Sequence, residues 1–194
     1  MVSDRLETDR LLLRKFVRRD ADPLTEAVQA SLSELSDWLP WAHPAYGKDD
    51  AAAFIRDSHQ AWKDGRAYDY AIRLSADPVR HVGNVSIWQV SRLGRVGEIG
   101  YWVRTDATTK GIATEATARM VELGFSELGF HKITLRIAVG NRGSERVAEK
   151  LGFVREGVLR EELKIKDAWV DHGLFSLLES EFRQTKRRMR SVGG

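Results

Sequence analysis

The residue pattern with the clearest chemical meaning is a run of small residues that joins a strand-like segment to a helical one. It reads Thr105-Asp106-Ala107-Thr108-Thr109-Lys110-Gly111-Ile112-Ala113-Thr114-Glu115-Ala116. The first backbone N–H groups of a helix have no partner within it and carry the positive end of its dipole. Gly111 and Ala113 permit close approach to these groups, and Lys110 adds a cation. The pattern therefore predicts a site for an anion such as a pyrophosphate.

Other motifs that bind phosphate or carry hydrolytic chemistry do not occur in the sequence. There is no GxxxxGK[ST] run, and the Gly94, Gly97 and Gly100 series has the wrong spacing for the dinucleotide fingerprint. The five histidines form no HExxH or i, i+4 pair, so no metal site is expected. No GxSxG elbow supports a serine hydrolase, although spacing alone leaves a Ser-His-Asp arrangement open.

The elements that must position this junction follow from the periodicity of the chain. Extended patterns predict strands over 10–16, 68–74, 82–90, 96–104, 131–139, 153–163 and 169–178. Helical spacing predicts helices capped by Asp20 and running through Leu32, over 50–63, over 111–128, and over 142–151 with Gly152 as its stop. This order predicts an α/β fold with a mixed, mostly antiparallel sheet of about seven strands and helices on both faces.

Composition bounds the class of protein. A length of 194 residues with 42% hydrophobic and 30% charged residues suits a single domain covering 1–194. The absence of cysteine excludes thiol catalysis and disulfides, and no segment has the character of a membrane span or secretory signal, so we expect a cytoplasmic protein. The net charge of +3 predicts no specific nucleic-acid partner. The basic run Lys186 to Arg190 is expected to be a flexible tail, with contact to RNA or ribosome as the alternative.

The junction and the segments around it resemble the GNAT superfamily of N-acetyltransferases. The coenzyme A loop of that family has the form Gln/Arg-x-x-Gly-x-Gly/Ala, and residues 108–113 stand at this position. The agreeing blocks around it are Glu98-Ile99-Gly100-Tyr101-Trp102, Asn141-x-x-Ser144 and Glu149-Lys150-Leu151-Gly152-Phe153. With Leu6 to Arg14 at the start and Trp38-Leu39-Pro40-Trp41 between, the chain is similar to the RimJ/RimL branch of ribosomal-protein N-terminal acetyltransferases.

This resemblance implies an acetyl-CoA-dependent enzyme in which a primary amine attacks the thioester directly in a ternary complex. The implied acceptor is the α-amine at the N-terminus of a protein, such as a ribosomal protein. A small-molecule amine or antibiotic is the alternative acceptor, and a CoA-binding sensor without catalysis is the non-enzymatic alternative. Monomer and homodimer both stay open, and no membrane partner is expected.

The chain departs from the branch in the coenzyme A loop. Where the branch has Gln or Arg followed by Gly, this chain has Thr108 and Thr109. Because backbone amides make the pyrophosphate contacts, other side chains are compatible with binding. The β-branched Thr109 nevertheless restricts the backbone angles at its position, so the departure concerns affinity for coenzyme A.

Roles for individual residues also follow from the resemblance. It implies that the backbone of Trp102 and Val103 contacts the acetyl and pantetheine parts of acetyl-CoA. It implies that the pyrophosphate is held by Thr109, Lys110, Gly111, Ile112, Ala113 and Thr114. Asn141 would face the pantetheine arm, and the alternative is that it serves only as the N-cap of its helix, a position that Asn fills well.

Two residues are candidates for proton transfer. Ser144, one turn into its helix, would donate to the departing thiolate, or else is an ordinary surface serine. Glu98 alternates with Gly100 and Trp102 on one strand face and would accept the proton of the amine. The alternative for Glu98 is a carboxylate paired within the sheet.

Aromatic residues are the candidates for the acceptor site. Trp38 and Trp41 lie in a loop bounded by prolines, which makes them either a wall of a substrate groove or part of the core. Tyr101, next to Trp102 on the same predicted strand, is the third candidate.

Overall fold

A computed structural model describes residues 2–184 of the chain. The strands are β1 Arg5–Glu7, β2 Leu11–Lys15, β3 Ala67–Leu74, β4 Gly83–Ser91, β5 Val96–Val103, β6 Lys132–Ala138, β7 Val154–Ile165 and β8 Ala168–Leu178. The helices include α1 Ala21–Gln29, α2 Leu32–Leu35, α3 Lys48–Lys63, α4 Ile112–Ser126 and α5 Arg142–Lys150, with 3₁₀ turns at Arg18–Asp20 and Thr105–Ala107. The basic run predicted to form a tail lies outside the described residues.

The strands of the described chain form one sheet of eight, in the order β1-β2-β3-β4-β5-β6-β8-β7. Neighbouring strands are antiparallel except β5 and β6, which are parallel. The predicted α/β fold with a mixed, mostly antiparallel sheet is confirmed. The additional strand is β1, whose three residues are too few to show an alternating pattern.

Helices cover both faces of this sheet, as predicted. On one face α4 buries Met120 and Leu123 against Ile87, Ile133 and their neighbours, and α5 packs on the same side. On the other face α1 and α3 form a second cluster that includes Trp102. Successive residues of a strand point to opposite faces, so β3 and β5 contribute to both clusters, with Ile72 and Ile99 in the first and Ala71 and Trp102 in the second. No helix within residues 2–184 has the length and apolar character needed to cross a membrane.

The prediction for Asp20 is wrong in two respects. Asp20 occupies the N-cap position of α1, but its side chain makes no cap hydrogen bond to that helix. The carboxylate is buried and instead pairs with Arg14 and Arg73 at 2.8 and 2.9 Å. The helix also ends at Gln29, and the segment up to Leu35 forms the separate short helix α2. A buried ion pair thus competes successfully with the local cap.

Candidate active site

A gap opens in the middle of the sheet between β5 and β6. Within the described chain these strands pair only where Val96–Glu98 meets Lys132–Thr134. Beyond that point β5 continues alongside β4 as far as Val103, and β6 continues alongside β8 as far as Ala138. The two strands therefore diverge toward their carboxyl ends. The edge of β5 that faces β6 has no strand neighbour after Glu98.

The turn that leads from β5 into α4 lies at the wide end of this gap. Gly111 is the N-cap residue of α4 and has a left-handed φ of 78°. The first bond of the helix runs from the Glu115 N–H to the Gly111 carbonyl, at 3.0 Å. The N–H groups of residues 112–114 therefore have no acceptor within the helix and are available to a ligand. The predicted anion-binding loop is thus found at a helix N-terminus.

Thr109, the point of departure from the family pattern, also has a left-handed backbone, with φ of 62°. Its hydroxyl donates to the Thr108 carbonyl at 2.7 Å. A left-handed conformation costs a non-glycine residue about 1–2 kcal/mol, and β-branched residues adopt it least readily. The neighbouring Lys110 is exposed, and its ammonium donates to the Asp106 carbonyl at 2.9 Å. The loop therefore keeps its shape despite an unfavourable residue.

Two residues between β1 and β2 hold this loop from outside. Arg10 donates to the Lys110 carbonyl at 3.0 Å and pairs with the Glu115 carboxylate at 2.6 Å. The Thr8 hydroxyl donates to the same carboxylate at 2.5 Å. Although burial by itself raises the pKa of Glu115, the hydrogen bonds from Thr8 and Arg10 hold it below its ordinary value. Arg10 thereby balances a negative charge that would otherwise repel an anion at this helix start.

The start of α5 lies across the gap. Asn141 is the N-cap residue of α5, and its Oδ1 accepts from the Ser144 N–H at 3.1 Å. The Ser144 carbonyl accepts a long hydrogen bond, 3.4 Å, from the hydroxyl of Tyr101 on β5. Burial raises the pKa of Tyr101 to about 12, so this hydroxyl stays protonated at neutral pH. Asn141, Ser144 and Tyr101 are therefore brought together at the gap.

A cavity of about 590 Å³ lies on the α1 and α3 side of β4 and β5. Its walls are largely aromatic and include Trp41, Tyr46, Phe54, Trp88, Tyr101 and Trp102. The Trp41 ring lies 6.1 Å from the Trp102 ring and 5.9 Å from the Tyr46 ring. Polar side chains also line it, namely His43, Asp50, Asp57, Asn84 and Ser86. The cavity thus combines apolar walls with a few polar groups, as small-molecule sites do.

The structure separates the two tryptophans of the proline-bounded loop. Trp41 lines the cavity and is 39% exposed. Trp38 is half-buried and is not part of the cavity wall, where Leu39 lies instead. Backbone hydrogen bonds continue the turns of α2 as far as Leu39, which fixes the direction in which each side chain leaves the loop. The geometry therefore supports the prediction that Trp41 forms a wall of the acceptor site. It does not support the same prediction for Trp38.

Glu98 is held in an ion pair within the sheet. Its side chain is buried, and both oxygens accept hydrogen bonds from the Arg136 guanidinium at 2.8–3.0 Å. The same pairing raises the pKa of Arg136, with the hydrogen bond to Glu98 as the largest cause. Both oxygens of this carboxylate are thus engaged by the guanidinium. The geometry favours the paired-carboxylate alternative over the role of a base.

Neither Asn84 nor His81 belongs to a sequence motif that predicts a role for it. Asn84 lines the cavity, and its side chain lies 2.7 Å from His81 between Oδ1 and Nε2. His81 is buried at 2% exposure, with its ring 5.8 Å from the Trp102 ring. Burial lowers the pKa of His81 to about 4. No motif marks this pair in the sequence, because its meaning depends on the cavity that other elements complete.

A second cavity of about 590 Å³ lies near the carboxyl ends of α3 and α4. Its lining includes Arg66, Tyr68, Glu127 and Phe130, and none of the residues predicted to form a site. It therefore has no connection with the loop at the start of α4. Across residues 2–184 no cluster of three or more His, Asp and Glu side chains is arranged to hold a metal ion.

Known proteins match the chain over most of its length. Residues 10–154 match the acetyltransferase (GNAT) domain family. The chain is 28% identical over 185 residues to the putative ribosomal N-acetyltransferase YdaF of Bacillus subtilis, covering 92% of this chain and 96% of that protein. It is 36% identical over 131 residues to the probable N-acetyltransferase YjcK of the same species, covering 67% and 72%. Mycobacterium smegmatis RimJ in complex with CoA-disulfide matches with a TM-score of 0.83 and 27% identity, covering 94% and 89%.

Proposed function

The chain belongs to the acetyltransferase (GNAT) domain family, and we propose that it transfers the acetyl group of acetyl-CoA to the N-terminal α-amine of a protein. The observation that carries this proposal is the position of β5. Gly100 and Trp102 of this strand line the aromatic cavity, while Tyr101 reaches across the gap to α5. An amine in the cavity and a thioester in the gap would therefore meet at one strand.

The start of α4 fits the diphosphate part of acetyl-CoA. Its unpaired N–H groups at residues 112–114 supply donors, and Arg10 balances the nearby charge of Glu115. A Cβ added at Gly111 would come within 3.3 Å of Arg10 Nη2, and the φ of 78° disfavours any side chain there. We therefore assign residues 109–114 to the pyrophosphate, and Asn141 to the pantetheine arm.

The residues of this chain would then act mainly by positioning. Acetyl-CoA, when bound, supplies the activated carbonyl. N–H groups of consecutive strand residues point to opposite edges, and the Arg104 N–H donates to the Val82 carbonyl on the β4 side, so the Trp102 N–H faces β4 and the Val103 N–H lies on the open edge of β5. The Val103 N–H is therefore our candidate for the donor that stabilises negative charge developing on the carbonyl oxygen, and the expected backbone contact of Trp102 loses its support. The aromatic walls exclude water and hold the amine in line. An N-terminal α-amine has a pKa of about 7.7–8.0, so a useful fraction is neutral without help from Glu98.

We further propose that a hydroxyl at the gap protonates the departing sulfur. Ser144 is half-buried in the first turn of α5, where the sequence pattern predicts this role. Tyr101, protonated and hydrogen-bonded to the Ser144 carbonyl, is a second donor at the same place. Substitution of each hydroxyl in turn distinguishes the two donors.

A small-molecule amine is the second candidate acceptor. Asp57 lines the cavity with an exposed carboxylate, which suits a second positive charge on a small polyamine. Release of CoA from acetyl-CoA, measured with a panel of N-terminal peptides and small amines, tests the proposal. Higher kcat/KM for peptides supports the N-terminal acceptor, and higher values for a diamine support the second candidate. Binding of acetyl-CoA without turnover of any amine would contradict both and leave a CoA sensor.

A further inference from the structure

We propose that Asn84, held in place by His81, selects acceptors that carry a carbonyl oxygen beside the reactive amine, as the first residue of a peptide does. This inference rests on the proposed function, because it concerns an acceptor bound in the same aromatic cavity. It adds the feature of the acceptor that the enzyme recognises. It also gives a role to a buried pair that no step of the transfer uses.

Asn84 lies at the end of the cavity nearest to the gap. It stands opposite Trp102 in the antiparallel pairing of β4 and β5, two positions from the Ser86 and Gly100 pair that also lines the cavity. Its side chain is only 7% exposed. A nearly buried amide in the cavity wall is therefore aimed at the place where the acceptor amine must sit.

The hydrogen bond to His81 decides which half of the amide faces the acceptor. Asn84 Oδ1 lies 2.7 Å from His81 Nε2 and can only accept, so this ring nitrogen carries the hydrogen. The amide oxygen is thereby engaged, and the amide nitrogen with its two donors remains for the cavity. An ammonium group cannot accept a hydrogen bond, whereas a carbonyl oxygen can. The site is therefore built to recognise an acceptor's oxygen.

His81 is a rigid support for this arrangement. Its ring lies 5.8 Å from both the Phe16 ring and the Trp102 ring, and it is 2% exposed. Within the described residues its buried Nδ1 has no hydrogen-bond partner, as suits an unprotonated nitrogen among aromatic rings. Burial lowers the pKa of His81 to about 4, so the ring is neutral wherever an α-amine reacts. His81 thus keeps donating to Asn84 and acts as a positioning residue.

The chemistry of the two acceptor classes differs at this point. In an α-aminoacyl group the carbonyl carbon is bonded to the carbon that bears the amine, so one hydrogen bond to its oxygen fixes the distance of the amine from the gap. The ammonium form of an alkyl amine or polyamine has no atom that can accept this bond, and the lone pair of the neutral form must stay free to attack the thioester. The contribution of one such bond to discrimination is about tenfold in kcat/KM.

L-alaninamide and isopropylamine are the probes, because they differ only in that isopropylamine has a methyl group where alaninamide has its carboxamide. Acetyl transfer to each is measured with the wild type, Asn84→Leu and His81→Phe. We expect both substitutions to lower the ratio of kcat/KM for alaninamide to that for isopropylamine by about tenfold, mainly through KM for alaninamide. His81→Gln is the matched control, since its amide nitrogen can donate to the same Asn84 oxygen, and we expect it to restore the ratio.

The double variant His81→Phe with Asn84→Leu guards against misfolding, because it leaves neither partner buried and unpaired. Thermal melting and calorimetric titration with acetyl-CoA establish that each variant is folded and binds. An unchanged ratio in the folded variants overturns the inference, and so does an equal loss with both amines, which would place Asn84 at the thioester. If the wild type acetylates isopropylamine but not alaninamide, the inference is wrong, while the proposal that the enzyme acetylates amines still holds. Failure of the wild type with every amine overturns the proposed function as well.

Discussion

At the scale of single residues, the chain carries strain in the loop that we assign to the pyrophosphate. Thr109 has a φ of 62°, a conformation in which glycine has no steric cost. We expect Thr109→Gly to raise the free energy of unfolding by up to about 1 kcal/mol, since relief of about 1–2 kcal/mol is partly offset by the greater freedom of glycine in the unfolded chain. Urea denaturation measures the change.

Thr108→Gly is the matched control for this prediction. Thr108 is the same residue type next in the loop, but its φ of −68° is ordinary. Glycine there brings the entropic cost without relief and should destabilise the protein. If both substitutions destabilise equally, Thr109 is not strained.

The hydroxyl that assists departure of the thiolate is also a question for single residues. If Ser144 donates the proton, Ser144→Ala should slow the transfer step by about 10²-fold while acetyl-CoA affinity stays nearly constant. Single-turnover kinetics are required, because slow product release hides the effect in steady-state rates. Tyr101→Phe is measured in parallel, since its hydroxyl lies 3.4 Å from the Ser144 carbonyl. A Ser144→Ala transfer step as fast as the wild type removes Ser144 from the mechanism.

At the scale of elements, the loop between α2 and α3 contributes one tryptophan to the cavity and leaves the other outside it. We expect Trp41→Ala to raise the acceptor KM by about tenfold, because the ring forms a wall with Trp102 and Tyr46. Trp38→Ala is the matched control in the same loop, and it should change stability rather than the acceptor KM. If Trp41→Ala raises the acceptor KM no more than Trp38→Ala does, the loop does not form the acceptor site.

At the scale of the whole molecule, the buried His81 couples stability to pH. The pKa of His81 is about 4 in the folded protein, against 6.5 for an unperturbed histidine. Below pH 6.5 the unfolded chain binds a proton that the folded protein does not bind until about pH 4, so stability falls over this interval. The expected loss is about 3 kcal/mol, and it is absent above pH 6.5.

The variant His81→Gln isolates this effect, because it has no titrating ring. Denaturation of both proteins between pH 7 and pH 4 should show the wild type losing about 3 kcal/mol more than the variant. Carboxylates contribute to both curves and cancel in the difference. Parallel curves would mean that His81 titrates in the folded protein as it does in the unfolded one.

The sequence by itself determined the order of the elements and the position of the α4 loop. Strands and long helices have periodic patterns that neighbouring residues already express, so the meander of β3 to β5 and the buried helix α4 were predictable. Gly152, predicted to stop α5, has a left-handed φ of 78°. The fold class was therefore predictable from the sequence. The strand β1 was not, because a strand of three residues is too short to show a pattern.

Tertiary structure alone decided which residues meet at the site. The alternation of β5 placed Glu98 on the same face of the sheet as Trp102. It did not show that Arg136, 38 positions later, donates hydrogen bonds to both oxygens of Glu98. The clamp of Arg10 on Glu115 joins residues 105 positions apart. The cavity draws Trp41 from a loop, Asn84 from β4 and Trp102 from β5. Local sequence cannot determine such contacts, because they depend on which strands become neighbours and on the point where β5 and β6 part.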